Sequence, residues 1–69
     1  MNSVWIAQNQ SYGELYVFFT EEKLLDFLEK EAEEREQEVF FVSNRYIVAV
    51  DEDDCDPIVF AEEYEEFQG

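Results

Sequence analysis

Histidine is absent, cysteine and proline occur once each, glycine twice, and only four of the 69 residues are basic. Without histidine the commonest general base is missing, and Ser3, Ser11 and Ser43 have no neighbour in sequence that would activate a hydroxyl. Cys55, being alone, can close no intrachain disulfide and belongs to no zinc-type spacing. It also sits among carboxylates, without the cationic neighbour that an active thiolate needs. Gly13 and Gly69 are the only glycines, too few and too far apart for a phosphate-cradling loop. Residues 1–8, MNSVWIAQ, have neither a basic region nor a long apolar run, so neither a signal peptide nor a spanning helix is expected. Anionic lipid head groups would repel so acidic a chain, which leaves a cytoplasmic, membrane-free protein as the expectation. No catalytic residue, no cofactor and no metal site is expected. Paired carboxylates could do acid–base work, but among 19 of them a pair says nothing.

What is abundant is acid on a greasy body. Nineteen Asp and Glu stand against Lys23, Lys30, Arg35 and Arg45, giving a net charge of −15. Yet the chain is 46% hydrophobic and 17% aromatic, far too rich for a disordered acidic tail. It folds, as a single small domain spanning residues 1–69. A domain of this size buries only about 60% of its unfolded surface, so self-repulsion weighs heavily on it. Solubility asks for a net charge of only about 2–8 in magnitude, so the excess needs another explanation.

The stretch 20–38, TEEKLLDFLEKEAEEREQE, predicts an amphipathic helix. At 100° per residue Leu24, Leu25, Leu28 and Ala32 gather on one side, and Glu22, Asp26, Glu29, Glu33 and Glu36 form an acidic stripe opposite. With about 1.5 Å of rise per residue the stripe spans roughly 21 Å, about one carboxylate per 5 Å. A DNA strand carries about one negative charge per 3.4 Å of axis, a comparable density. Thr20 suits the N-cap, and Glu21 and Glu22 suit the first turn of the helix dipole. Asp26/Lys30 and Glu31/Arg35 are favourable i,i+4 pairs, whereas Glu29/Glu33 and Glu34/Glu38 are like-charge pairs that cost a few tenths of a kcal/mol each. Selection for helix stability alone would have alternated the signs.

Around that helix, 3–8 and 14–19 read as strands joined by the turn cluster NQSYG, and 39–42 and 46–50 as a second hairpin across Ser43-Asn44-Arg45. An acidic loop, Asp51, Glu52, Asp53, Asp54, Cys55 and Asp56, precedes Pro57, and 58–61 reads as a short last strand. Residues 62–67, EEYEEF, fit one closing helical turn, with Tyr64 and Phe67 three apart. The expectation is an α+β fold, an antiparallel sheet of four to five strands with one helix on one face, in the order β-β-α-β-β-β. Strand residues of both parities are apolar, so the second sheet face is expected to be greasy and to make the protein a homodimer.

Asp51, Asp53 and Glu62 fall at positions 1, 3 and 12 of an EF-hand loop, but Cys55 stands at position 5 and Asp56 where the sharp turn wants glycine. A solvated acidic loop is the stronger reading. The three acidic blocks, comprising the helix stripe, the 51–56 loop and Glu62, Glu63, Glu65 and Glu66, suggest a surface that imitates a phosphate backbone. A basic DNA-binding groove gains most of its affinity from neutralising phosphates, and carboxylates at similar density can occupy it. Nucleic acid itself is then not a partner. A halophile-type surface or an acidic module whose charge serves only solubility are the competing readings.

In size, charge and layout the chain resembles the DNA-mimic inhibitor proteins of bacteriophages, on the strength of its Glu/Asp blocks and the segment YGELYVFFTEEKLLDFLEKE. DNA mimics share charge and not sequence, so no residue transfers by position. The resemblance implies host takeover by an inhibitor of a DNA-acting protein in the bacterial cytoplasm. The nucleoid protein HU is the first candidate, because its arms and saddle form a broad basic surface. Uracil-DNA glycosylase, restriction enzymes and CRISPR effectors are the alternatives.

Overall fold

The computed structural model describes residues 3–65. They form β1 (Ser3–Asn9), β2 (Glu14–Phe18), α1 (Glu21–Arg35), β3 (Glu38–Val42), β4 (Arg45–Ala49) and β5 (Val59–Glu65). The fold is α+β in the expected order, with five antiparallel strands in one open sheet ordered β2-β1-β5-β4-β3.

Two tight turns set the hairpins. Ser43 and Asn44 link β3 to β4 with φ of 54° and 65°, the pair of positive values that a two-residue type I′ turn requires. In the β1–β2 turn Gly13 takes φ 66°, and the buried Asn9 accepts the Ser11 N–H through Oδ1 at 3.0 Å. The helix begins where Thr20 Oγ1 accepts the Lys23 N–H at 3.2 Å. It ends at Glu36, held left-handed at φ 56°, with the Gln37 N–H closing onto the Ala32 carbonyl at 2.8 Å. The helix is therefore shorter than the expected 20–38, because this Schellman-type closure forms without a glycine.

The final strand differs most from expectation. In place of a short strand over 58–61 and a helical turn over 62–67, β5 continues to Glu65 and lies at the centre of the sheet, between β1 and β4. Backbone pairing, on both sides as far as Glu62 and with β1 alone from Glu63 to Glu65, outweighs the poor strand propensity of its glutamates. Glu66 and Phe67 lie outside the described residues.

Register assigns every strand residue to a face. Toward the helix point Trp5, Ala7 and Asn9, Tyr16 and Phe18, Val59 and Ala61, Val48 and Tyr46, and Val39 and Phe41. Trp5, Ala7, Leu24, Leu28, Ala32, Val48, Val59 and Ala61 make the buried core. Ala7 and Ala61, neighbours on the two inner strands, leave room for the helix to approach. Phe27 packs its ring on Tyr16 and Phe18 at 4.8 and 5.3 Å, extending the helix's apolar side toward β2.

The opposite face has no covering layer among the described residues. It presents Val4, Ile6 and Gln8, Leu15 and Val17, Phe40 and Val42, Arg45, and Phe60, Glu62 and Tyr64, while Ile47 and Ala49 register on the same side but are buried among their neighbours. Leu15 and Val17 are 66% and 54% exposed, which is the uncovered apolar face expected from two-sided hydrophobic strands.

Candidate functional site: an acidic ridge on the helix side

Glu22, Asp26, Glu29 and Glu33 are all exposed along α1, and Leu24, Leu28 and Ala32 are buried beneath them. From Glu22 to Glu33 the ridge runs about 16 Å. Glu36, the fifth member of the expected stripe, is exposed but sits in the left-handed turn beyond the last helical residue, so it leaves the helical spacing.

The flanking blocks extend the ridge at both ends. α1 runs toward the end of the sheet where Glu38 pairs with Ala49, and the 51–56 loop leaves from that end. Asp51, Glu52, Asp53, Asp54 and Asp56 are exposed there. Asp51 and Asp54 each turn one oxygen inward, accepting the Asp53 and Asp56 N–H groups at 2.9 and 3.0 Å, which holds the loop in two successive Asx turns. Glu62, the twelfth position of the calcium-loop comparison, lies instead in β5 opposite Arg45 and Ile6. Among the described residues no three His, Cys, Asp or Glu side chains converge to hold a metal ion.

At the other end Glu63 and Glu65 register on the helix side of β5, with Glu21 in the first turn of α1 above them. The Ser3 hydroxyl donates to Glu63 Oε2 at 2.7 Å, and the Tyr46 hydroxyl donates to the Glu21 carboxylate. That bond, then burial, push the Tyr46 hydroxyl up to about 12. Glu62 parts from its block because successive strand residues face opposite sides, and it lies half-buried on the open sheet face. Glu66 lies outside the described residues. Glu14, Glu31 and Glu34 are acidic groups beside the ridge that helical spacing alone did not single out. Glu14 accepts the Tyr16 hydroxyl at 2.6 Å, which raises the Tyr16 hydroxyl's pKa.

The charge on this surface is scarcely neutralised. Glu31–Arg35, at 4.0 Å, is the one ion pair among the described residues, and the expected Asp26/Lys30 pair does not close. The Glu31 carboxyl is raised above its ordinary value, chiefly by burial and then by the neighbouring Glu34 carboxyl, with Arg35 opposing. A raised folded-state pKa contributes stability that is complete below the ordinary value of 4.5 and is lost as pH rises through the folded value. Self-repulsion at −15 acts in the same direction. Melting monitored by circular dichroism is therefore expected at a higher temperature at pH 5 than at pH 7.5. Added salt at pH 7.5 is expected to recover several degrees, about the 4–8 °C that 1 kcal/mol gives a domain this small. A melting temperature that falls on acidification to pH 5 would show that repulsion does not govern the fold.

No family model, curated protein or solved structure matches the chain. No helix is long and apolar enough to cross a membrane.

Proposed function

We propose that this chain is a DNA mimic, which occupies the basic DNA-binding surface of a nucleic-acid-binding protein and blocks DNA binding. The observation that supports the reading is segregation. Of the carboxylates in the described strands, only Glu38 and Glu62 register on the open sheet face. The helix ridge, the 51–56 loop and Glu63 and Glu65 line the helix side and the ends. A surface acidic only for solubility would distribute charge evenly over every accessible face, whereas here the open face carries Glu38 and Glu62 against the whole ridge and Glu14, Glu63 and Glu65 on the helix side.

Carboxylates on a helix braced by a sheet are held at nearly fixed spacing. A basic groove then meets several anions at once without ordering a flexible chain, and long-range attraction speeds encounter. HU is the partner we put first, since its basic surface is broad and reads no base edges, which a carboxylate array lacks. Such a complex gains its affinity from charge, so it weakens with salt. Titration of purified HU should show affinity falling at least about 10-fold between 50 and 200 mM salt. Near-constant affinity over that range would remove phosphate mimicry as the basis of binding.

A further inference from the structure

We propose that edge strand β3 takes up an extended cationic peptide segment as a sixth strand, with lysine or arginine side chains of that segment seated in the acidic groove between β3 and the end of the helix. The inference goes beyond mimicry, which needs only charge, because it also requires backbone pairing. β3 lies at one margin of the sheet and pairs on one side only, with β4. Nothing in Glu38–Val42 protects that margin, since the strand has no proline, no lysine and an unbroken register. The turn through Ser43 and Asn44 makes Val42 and Arg45 the hydrogen-bonded closing pair. Bonded pairs alternate along an antiparallel ladder, so Phe40 bonds inward to Ile47, and the N–H and C=O groups of Val39 and Phe41 point off the edge.

The side chains of Val39 and Phe41 face the helix, and residues directly opposite one another in a ladder share a face. A strand bonded to Val39 and Phe41 therefore places its own bonded residues on the helix side. What they meet there is acidic. A groove of about 420 Å³, lined by Glu29, Ala32, Glu33, Gln37, Glu38 and Val39, lies between α1 and β3. No β4 residue lines it, so it opens past the edge and not over the sheet. Ala32 and Val39 give it an apolar floor for the methylene stem of a lysine or arginine, and Glu29 and Glu33 supply the anions. Neither of these two carboxylates pairs with a cation among the described residues.

Charge selects both the edge and its occupant. Beside the other margin, β2, the groove is lined by Val17, Phe18, Phe19, Thr20 and Lys23 and holds no carboxylate. A second copy of this chain brings a net charge of −15 and no Lys or Arg in either edge strand, so it has nothing to place between Glu29 and Glu33. A cationic segment gains from both contacts at once. Main-chain bonds to Val39 and Phe41 give affinity that tolerates many sequences, and alternate side chains reaching the groove give selectivity. Phe41, 57% exposed, continues the same row and is covered by the next bonded residue of the added strand.

A blocked peptide of alternating lysine and valine, about eight residues long, tests this alongside two copies of it, one N-methylated on every lysine and one on every valine. All three carry the same side chains and charge. In the proposed pairing the lysines are the bonded residues, so methylating their nitrogens removes the donors facing β3, while methylating the valines removes donors facing solvent. Titrated into ¹⁵N-labelled protein in moderate salt, the valine-methylated peptide should bind like the reference, and the lysine-methylated one at least about 10-fold more weakly. Hydrogen exchange at the Val39 and Phe41 amides should slow on binding, whereas the Phe40 amide is already protected. Glu29→Gln with Glu33→Gln should weaken the reference peptide about 3- to 10-fold. Equal binding of the two methylated peptides, no binding of the reference at millimolar concentration, or unchanged exchange at Val39 and Phe41 overturns the edge pairing. The first of these outcomes leaves charge-driven mimicry standing.

Discussion

Neutralising the helix ridge (Glu22→Gln, Asp26→Asn, Glu29→Gln and Glu33→Gln together) is expected to weaken binding to a basic DNA-binding protein about 100-fold while making the free protein more stable. The two effects have one cause. Each exposed charge pair across an interface rim contributes about 0.5–1 kcal/mol, so four give about 3 kcal/mol, and every 1.4 kcal/mol is tenfold in affinity. Within the free helix the same residues make the like-charge neighbours 22/26, 26/29 and 29/33, each costing a few tenths of a kcal/mol. Glutamine is about as good a helix former as glutamate, so the fold should survive with a melting temperature several degrees higher. Calorimetric binding and thermal melts on the same preparations check both halves. Binding that is lost together with helicity would show only that the helix was damaged. Binding retained in a folded, stabilised variant would move the interface to the 51–56 loop or to Glu63 and Glu65.

The second large effect concerns β5. Ala61→Asp is expected to leave the chain unfolded at 25 °C, with no cooperative thermal transition. Ala61 is fully buried, between Ala7 on β1 and Tyr46 on β4 and under the helix. An uncompensated charge there costs more than about 4 kcal/mol, against a total stability of about 3–10 kcal/mol for a chain this long. The topology aggravates the loss. Sheet order β2-β1-β5-β4-β3 means that the two hairpins are hydrogen-bonded into one sheet only through β5. Without it they are two-stranded units joined only by side-chain contacts such as Trp5 on Tyr46 and by the helix, and such units are marginal in water. Tyr64→Ser, on the exposed end of the same strand, should by contrast leave a cooperative melt. Circular dichroism of the two variants distinguishes a central strand from a peripheral one, and a folded Ala61→Asp chain would contradict the topology.

That central position was the part of the fold least legible in the sequence. The helix, both hairpins and the two-sided greasiness followed from spacing, because periodicity reports local geometry. Alternation in 14–19 and the 3.6-residue repeat of Leu24, Leu28 and Ala32 needed no tertiary information. EEYEEF, by contrast, has the composition of a solvated helical turn. Its residues 62–65 become strand because β1 pairs with all four and β4 with Glu62, a non-local reward that no window of the chain displays. The ridge was equally readable as far as Glu33, since it depends on one helix. Its end at Glu36 was not, because a left-handed closure at a glutamate carries no glycine to announce it. The division of Glu62 from Glu63 and Glu65 required the strand register, and with it came the pairing of Arg45 and Glu62 on the open face.

The central claim is that the acidic ridge takes the place of a nucleic-acid strand. It is tested most directly by displacement, with purified HU bound to a fluorescently labelled duplex and the anisotropy followed as this protein is added in moderate salt. The account predicts full release of the duplex, saturating near a fixed ratio of protein to HU. The four-fold neutralised ridge variant should need about 100-fold more protein for the same release. A duplex that stays bound at large excess of the protein, or is released equally well by the neutralised variant, would contradict it.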